Sequence, residues 1–377
     1  MRPGARQPIG SVSKVFTAVL VMRLVERGQV GFDDTVPEIA AAHDGEGGPL
    51  RALVATFEPR LRRVSVRDLL AMTSGIRDYQ RSDVFLRALL TAPLQPRSLA
   101  ELSGWGLAEP LAFSPGAGGR GLYSSTNFTL LAMIVEAVSG HSVVDELRHL
   151  FARAGLRRTT YDPAPRALLW RGAAHGYVPI PIPPEDPADD RQFAAFVHSR
   201  PRRPLYAPPA SVRLPAGTPL VEVSSGARRR LAAGTRWRYR DATATYSLSL
   251  GGPAGGFVST QADLVRFFSL LHGGRLVRRA TLRRMEKFLG PRNNPEGLGI
   301  TPLSVPANGL FAGSPALTLW GHAGEIYGYD TFAFYVAGGD EIITYTWNVS
   351  PGVAANQFFA TRVLTAVIRD RARRYRR

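Results

Sequence analysis

Ser11 and Lys14 stand three residues apart in the stretch PIGSVSKVFTAVLVMRLVERG, residues 8–28. On a helix, positions i and i+3 share a face, so a lysine amine there reaches the serine hydroxyl. A serine hydroxyl is a weak nucleophile until a neighbouring base takes its proton, and a lysine with a lowered pKa can be that base. Composition sharpens the case for Lys14. Of 47 basic residues only Lys14 and Lys287 are lysine. Arginine keeps its proton at any working pH, whereas a desolvated lysine can give it up. The start of a helix also leaves the Ser11 backbone N–H free, half of an oxyanion hole. S-x-x-K recurs often by chance, so the pair needs partners.

The apolar residues Val15, Val19, Met22 and Val25 fall at helical spacing and Gly28 is a helix stop, which predicts a buried helix over 12–28. An export signal fits poorly. Arg23, Glu26 and Arg27 follow the apolar run, no small-residue cleavage site stands in place, and the run is too short to span a bilayer.

Two partners stand further along. LWGHAGEIYGYDTFAFYV carries His322-Ala323-Gly324 just before an alternating, strand-like run. Small residues at a strand edge let a substrate backbone lie alongside, and a polar side chain there can hold a carboxylate or move a proton. FSPGAGGRGLYSSTNFTLLAMIVEAVSG carries Tyr123 in a turn before an amphipathic helix, 128–139. A phenol with a lowered pKa near cations would relay protons to a leaving group. Alone, His322 reads as a surface or core histidine and Tyr123 as packing. S-x-x-K with two further elements is a signature of serine acyl-transfer enzymes, and His322-Ala323-Gly324 resembles the His-x-Gly form that the third element takes in some relatives.

Five segments now resemble, in order, the serine β-lactamase-like superfamily, in its branch of class C β-lactamases, D-alanyl-D-alanine carboxypeptidases and family VIII esterases. They are IGSVSKVFTAVLVMRLVERGQVGFDDTV, VSVRDLLAMTSGIRDY, FSPGAGGRGLYSSTNFTLLAMIVEAVSG, GGFVSTQADLVRFFSLLHGGRLV and WGHAGEIYGYDTFAFYV. They cover roughly 7–160 and 250–370. Five ordered matches are specific for the fold and far less so for the substrate. The resemblance implies an α+β fold, an antiparallel sheet flanked by helices plus a mostly helical lobe.

Carried over by position, the resemblance implies Ser11 as the acylated nucleophile, Lys14 as its base and Tyr123 as the proton relay. His322 and Gly324 would line the cleft, and the backbone N–H of Glu325 would complete the oxyanion hole. The chain departs from the pattern at one place. Relatives usually read Tyr-Ser-Asn where this chain has Tyr123-Ser124-Ser125. That asparagine commonly contacts the substrate amide and the lysine, so Ser125 is a shorter substitute, and Asn127 is not assigned the role. The departure shifts expectation from peptidase and β-lactam chemistry toward ester hydrolysis.

The chain reads as one catalytic unit, 1–377. Residues 12–160 are mostly helical, with helices expected at 12–28, 66–73, 83–91 and 128–139. Residues 246–377 mix strands with helices, including the final 354–372. Between them 161–245 is rich in proline and arginine and includes VPIPIPPEDPADD, an expected extended loop. It reads as a variable insertion with local strands, with a substrate-covering lid as the alternative. Relatives carry a helix and the first sheet strands before the nucleophile, whereas ten residues precede Ser11. The resemblance therefore implies a missing beginning, a sheet edge laid bare, and an exported full-length parent.

Composition narrows the rest. With no cysteine, disulfides, thiol nucleophiles and thiolate metal sites are excluded. Seven histidines show no ligand spacing, so no metal and no cofactor are expected. The net charge of +17 gathers at 200–204, 228–230 and 369–377. Aromatic residues do not interleave with it and no nucleic-acid fold signature is present, so it reads as solvated surface. The expected partner is a small-molecule or peptide substrate. A small ester or amide hydrolase leads, then a D-Ala-D-Ala peptidase, then a β-lactamase. A catalytically impaired protein that binds peptidoglycan-type ligands is the alternative.

Overall fold

The computed structural model describes residues 4–163, 173–182, 199–200, 203–204, 220–223, 236–243, 245–289, 296–307, 314–348 and 364–369. The chain enters through a short strand, β1 (Gln7–Pro8), and a 3-10 turn, Gly10–Val12, that runs into helix α1 (Ser13–Glu26). Helices α2 (Val36–His43), α3 (Pro49–Leu61), α4 (Val66–Leu70), α5 (Asp83–Thr91), α6 (Leu99–Leu107), α7 (Thr126–Ser139) and α8 (Val143–Ala154) follow. Strands β2 (Tyr177–Ile182), β3 (Ser199–Arg200), β4 (Arg203–Pro204), β5 (Leu220–Val223) and β6 (Arg236–Asp241) occupy the central region. Strand β7 (Val258–Ser259) pairs with β1. The main sheet comprises β8 (Thr301–Val305), β9 (Leu317–Ile326), β10 (Tyr329–Val336) and β11 (Ile342–Trp347), antiparallel in the order β11-β10-β9-β8.

Helix α1 is the axis of the core. It is buried on every face, as expected of a central helix rather than a surface one. Phe16 stacks on Phe267 at 3.7 Å between ring centroids and meets Phe151 edge-on at 5.9 Å. That ties α1 to α8 and to the helix Gln261–His272. Truncating so packed a ring costs about 3–5 kcal/mol, and the same ring fixes the height of Lys14 two residues earlier.

All eight residues of β10 are buried, so the sheet is covered on both faces. The period-two alternation of a strand divides them. Ala333 and Tyr335 join the α1 core, with Trp320 of β9. Phe332, Phe334 and Val336 face the other way, with Leu319 and with Leu364 of the helical segment 364–369. That segment is the described part of the helix expected at 354–372.

The expected helix at 83–91 is α5. The one expected from 12 begins at Ser13, because Gly10 has φ +51 and the Ser13 hydroxyl donates to the Gly10 carbonyl at 2.7 Å. The one expected over 66–73 stops at Leu70, where Met72 turns left-handed at φ 59. Helix α7 starts at Thr126, two residues early. Helices α2, α3, α6 and α8 were not expected. Capping boxes Thr35/Glu38 and Ser98/Glu101 nucleate α2 and α6.

The expected loop in VPIPIPPEDPADD needs correction. Val178–Ile182 belongs to β2, which pairs antiparallel with β6. The Ala242 N–H donates to the Gly176 carbonyl, so 178, 180 and 182 are the hydrogen-bonded positions. Pro179 and Pro181 fall between them, on an edge strand, where a missing N–H costs nothing. The remainder of the segment, like the clusters at 228–230 and 370–377, lies outside the described residues. Among the described residues no single helix is long and apolar enough to cross a membrane.

Candidate active site

Ser11 lies on the 3-10 turn ahead of α1, not inside the α-helix as expected. Residues i and i+3 eclipse in a 3-10 turn, so the pairing with Lys14 survives. The turn is anchored by the Ile9 N–H on the Phe257 carbonyl at 2.9 Å, and by the Phe257 N–H on the Ser13 hydroxyl at 3.2 Å. Ser11 is half-buried, whereas Lys14 below it is 1% exposed.

The Lys14 Nζ donates to three oxygens: Ser11 Oγ at 3.1 Å, Ser125 Oγ at 3.3 Å and the Ala254 carbonyl at 3.0 Å. The Phe128 ring lies 5.6 Å from it. Burial pulls the Lys14 pKa down to about 8, against the opposing pull of the Asp78 and Glu296 carboxylates. An amine poised there is mostly protonated at pH 7, donating to all three oxygens, but it reaches its neutral form far more readily than an ordinary lysine.

Tyr123 reaches the site from the turn before α7. The Leu122 N–H donates to the Met72 carbonyl at 2.9 Å, which pins that turn to the end of α4. The phenol interacts with the Ser11 side chain, and its ring centroid lies 4.8 Å from the Lys14 Nζ. The expected lowered pKa is reversed. Burial, reinforced by Asp78 and Glu296, raises the phenol well above its ordinary value. The phenol of Tyr123 therefore keeps its proton in the free site.

Ser125, at the position of the usual asparagine, is fully buried and touches Lys14. Its own hydroxyl donates to Gln80 Oε1 at 3.3 Å. Asn127 is committed elsewhere: it accepts from Ser74 Oγ at 2.8 Å, and its amide faces the Met72 sulfur at 3.4 Å.

Strand β9 supplies the opposite wall. The Ala337 N–H donates to the Thr318 carbonyl, and 337 continues the β9–β10 register that pairs Val336 with Leu319. Even-numbered residues of β9 therefore exchange hydrogen bonds with β10, and odd-numbered ones turn their N–H and C=O toward the other side. On that side β8 ends opposite Gly321. The backbone N–H of Glu325 thus faces an open strand edge. The Ile9–Ser11 backbone lies along this edge: a β-carbon on Gly324 would stand 2.9 Å from the Ser11 nitrogen, and one on Gly10 would stand 2.6 Å from the Glu325 nitrogen. The two N–H donors expected of an oxyanion hole are brought side by side. The Glu325 side chain itself is exposed.

His322 is buried on the same strand, its ring centroid 6.1 Å from that of Tyr123. Burial, then the nearby Lys14 charge, pushes its pKa down to about 3. Its Nδ1 is hydrogen-bonded to the Ala323 carbonyl. A neutral ring facing a carbonyl there carries its proton on Nδ1 and leaves Nε2 as an acceptor.

Four contributors escaped the sequence reading. Asp78 is buried at the cap of the turn Tyr79–Arg81, with its pKa raised by burial, and it accepts from the backbone N–H groups of Gln80 and Ser125. Gln80 holds Ser125. Glu296 is buried and pushed up to about 7 by desolvation, although the Thr301 hydroxyl donates to it at 3.0 Å. The Ala254 carbonyl has no side-chain signal at all. Asp78 follows directly on SGIR in a segment that carried the resemblance, which was the one available cue, and Gln80 lies just beyond that segment's end at Tyr79. Among the described residues no cluster of three or more histidine or acidic side chains gathers as a metal site would require.

This constellation on this fold defines a class. The chain belongs to the Beta-lactamase family, whose model matches residues 1–366. It is 33% identical over 157 residues to a D-aminopeptidase of Brucella anthropi, covering 41% of this chain and 26% of that protein. It is 29% identical over 157 residues to penicillin-binding protein 4* of Bacillus subtilis (strain 168), covering 40% and 29%. The matched stretch thus spans under a third of either relative. Among solved structures it resembles the D-amino acid amidase of Ochrobactrum anthropi SV3, with TM-score 0.68 and 21% identity over 98% of this chain and 87% of that one. It also resembles a D-stereospecific amidohydrolase of Streptomyces sp., with TM-score 0.62 and 23% identity over 92% and 83%. These likenesses give the fold, β-lactamase/transpeptidase-like as expected. The comparisons lend no support to the expected missing beginning.

Proposed function

We propose that this chain is a serine hydrolase that forms an acyl-enzyme on Ser11 and cleaves small amides of D-configured amino acids, with small esters as secondary substrates. The observation that carries this reading is the 3.1 Å contact between Lys14 Nζ, which is buried, and Ser11 Oγ above it. Neutral Lys14 takes the hydroxyl proton as Ser11 Oγ attacks the substrate carbonyl. The developing oxyanion accepts from the Ser11 and Glu325 backbone N–H groups, where each donor is worth about 10²–10³ in rate. The leaving nitrogen takes the Tyr123 proton. The proton that Lys14 received from Ser11 passes to the phenolate, whose ring centroid lies 4.8 Å from the Lys14 Nζ; acylated Ser11 has no proton to relay. Water then attacks the acyl group and restores Ser11.

Two considerations move the reading from esters toward amides. An expelled amine needs a proton, and Tyr123, kept protonated by burial, is a donor in place. The chain's relatives include a D-aminopeptidase, a D-amino acid amidase and a D-stereospecific amidohydrolase.

The test is release of ammonia from D- and L-phenylalanine amide by the parent and by Ser11→Ala. Preferential turnover of the D-amide, lost in Ser11→Ala, supports the reading. An inert parent that still binds the amide, equally well in Ser11→Ala, overturns it in favour of a non-catalytic binding protein.

A further inference from the structure

The acyl-enzyme reading requires that the single lone pair of neutral Lys14 point at Ser11, and a chain of hydrogen bonds running away from the cleft dictates that direction. A neutral lysine has two N–H donors and one acceptor site, and Lys14 has three oxygen neighbours. The Ala254 carbonyl can only accept. The two hydroxyls, Ser11 and Ser125, could each donate to the lone pair. Only donation from Ser11 is productive, because it loosens the proton on the nucleophile. Donation from Ser125 would leave Ser11 inert.

The structure resolves this ambiguity from a distant end. The Leu250 carbonyl, an acceptor only, receives the Tyr79 hydroxyl at 2.8 Å. The Tyr79 oxygen, its proton thus committed, can serve Gln80 only as an acceptor, and it lies 3.4 Å from Gln80 Nε2. That turns the Gln80 amide so that Oε1 faces Ser125, whose hydroxyl donates to it at 3.3 Å. With its one proton spent on Gln80, Ser125 can only accept from Lys14. The lone pair of Lys14 is then left to Ser11.

We propose that Gln80, oriented by Tyr79, is a positioning residue that fixes the polarity of the Lys14 contacts. It acts through Ser125 and not on the substrate. This rests on the acyl-enzyme reading and deepens it. Tyr79 is fully buried and Gln80 half-buried beneath Ser125.

The test is a double-mutant cycle on acylation by p-nitrophenyl acetate, comparing parent, Gln80→Leu, Ser125→Ala and the double variant, with Ser11→Ala as background. Gln80→Leu frees the Ser125 proton to compete for the lone pair. It should lower the acylation rate about tenfold, the weight of one misdirected hydrogen bond, with KM unchanged. In the Ser125→Ala background the same substitution should change the rate by less than about twofold, since the competing donor is gone. Gln80→Glu keeps an acceptor oxygen and should hold the parent's rate on the high-pH plateau. Equal losses in both backgrounds, or a tenfold loss in Gln80→Glu on the plateau, overturn the proposal while leaving the acyl-enzyme intact. A parent no faster than Ser11→Ala overturns both.

Discussion

A β-carbon built on Gly324 would stand 2.0 Å from the carbonyl oxygen of Ile9. Strand β9 and the nucleophile's turn are therefore in direct backbone contact, and no other residue type fits between them. Gly324→Ala forces β9 away from Ser11 and separates the two oxyanion donors. Its kcat should fall by about 10²-fold or more. The check is kcat beside a thermal melt, which separates a displaced donor from an unfolded chain.

The rate should follow the charge on Lys14. Asp78 and Glu296 pull its pKa up, burial pulls harder the other way, and the amine titrates near pH 8. Since only the neutral amine is a base, kcat/KM should rise with pH through about 8 and level off above it. His322, titrating near 3, does not contribute to that limb. Asp78→Asn removes an opposing charge and should move the midpoint to lower pH. A profile flat from pH 6 to 10 is the contrary result.

Lys14 also makes stability depend on pH. Its folded pKa of about 8 lies below the ordinary 10.5, so the unfolded chain binds the extra proton between those values. Stability therefore gains from this group as pH rises from 8 to 10.5, and the full penalty is present below 8. Lys14→Met should abolish turnover yet melt higher at pH 7, by up to about 3 kcal/mol. That advantage should fade by pH 10.5, and paired denaturation curves at the two pH values read it directly.

Tyr123→Phe separates the two substrate classes. Loss of a positioned acid costs about 10²–10⁴ where the leaving group needs a proton. Amide turnover should fall by that factor. A p-nitrophenyl ester, whose leaving group departs as an anion, should lose less than about tenfold. Equal losses on both would assign Tyr123 to activating Ser11 instead.

The serine, the lysine and the Gly-rich strand were legible because each is fixed by local chemistry. S-x-x-K needs only one turn of helix, and His322-Ala323-Gly324 only an alternating strand. The direction of the Tyr123 shift was not legible. It depends on how far the folded site desolvates the phenol, and on Asp78 and Glu296 arriving from elsewhere in the chain. Gln80 was hidden for a similar reason: its role lies in the order of donors and acceptors between Leu250 and Lys14, residues 236 positions apart. Pro179 and Pro181 misled toward a loop, because proline spaced by two satisfies an edge strand as well as it does irregular chain.

The central claim is that Ser11 carries the acyl group. The direct measurement is intact mass, then peptide mapping, of protein acid-quenched during turnover of p-nitrophenyl acetate. One acetyl group on Ser11, absent from Ser11→Ala, is the predicted result. An acetyl group on another residue, or ester hydrolysis undiminished in Ser11→Ala, would contradict the account.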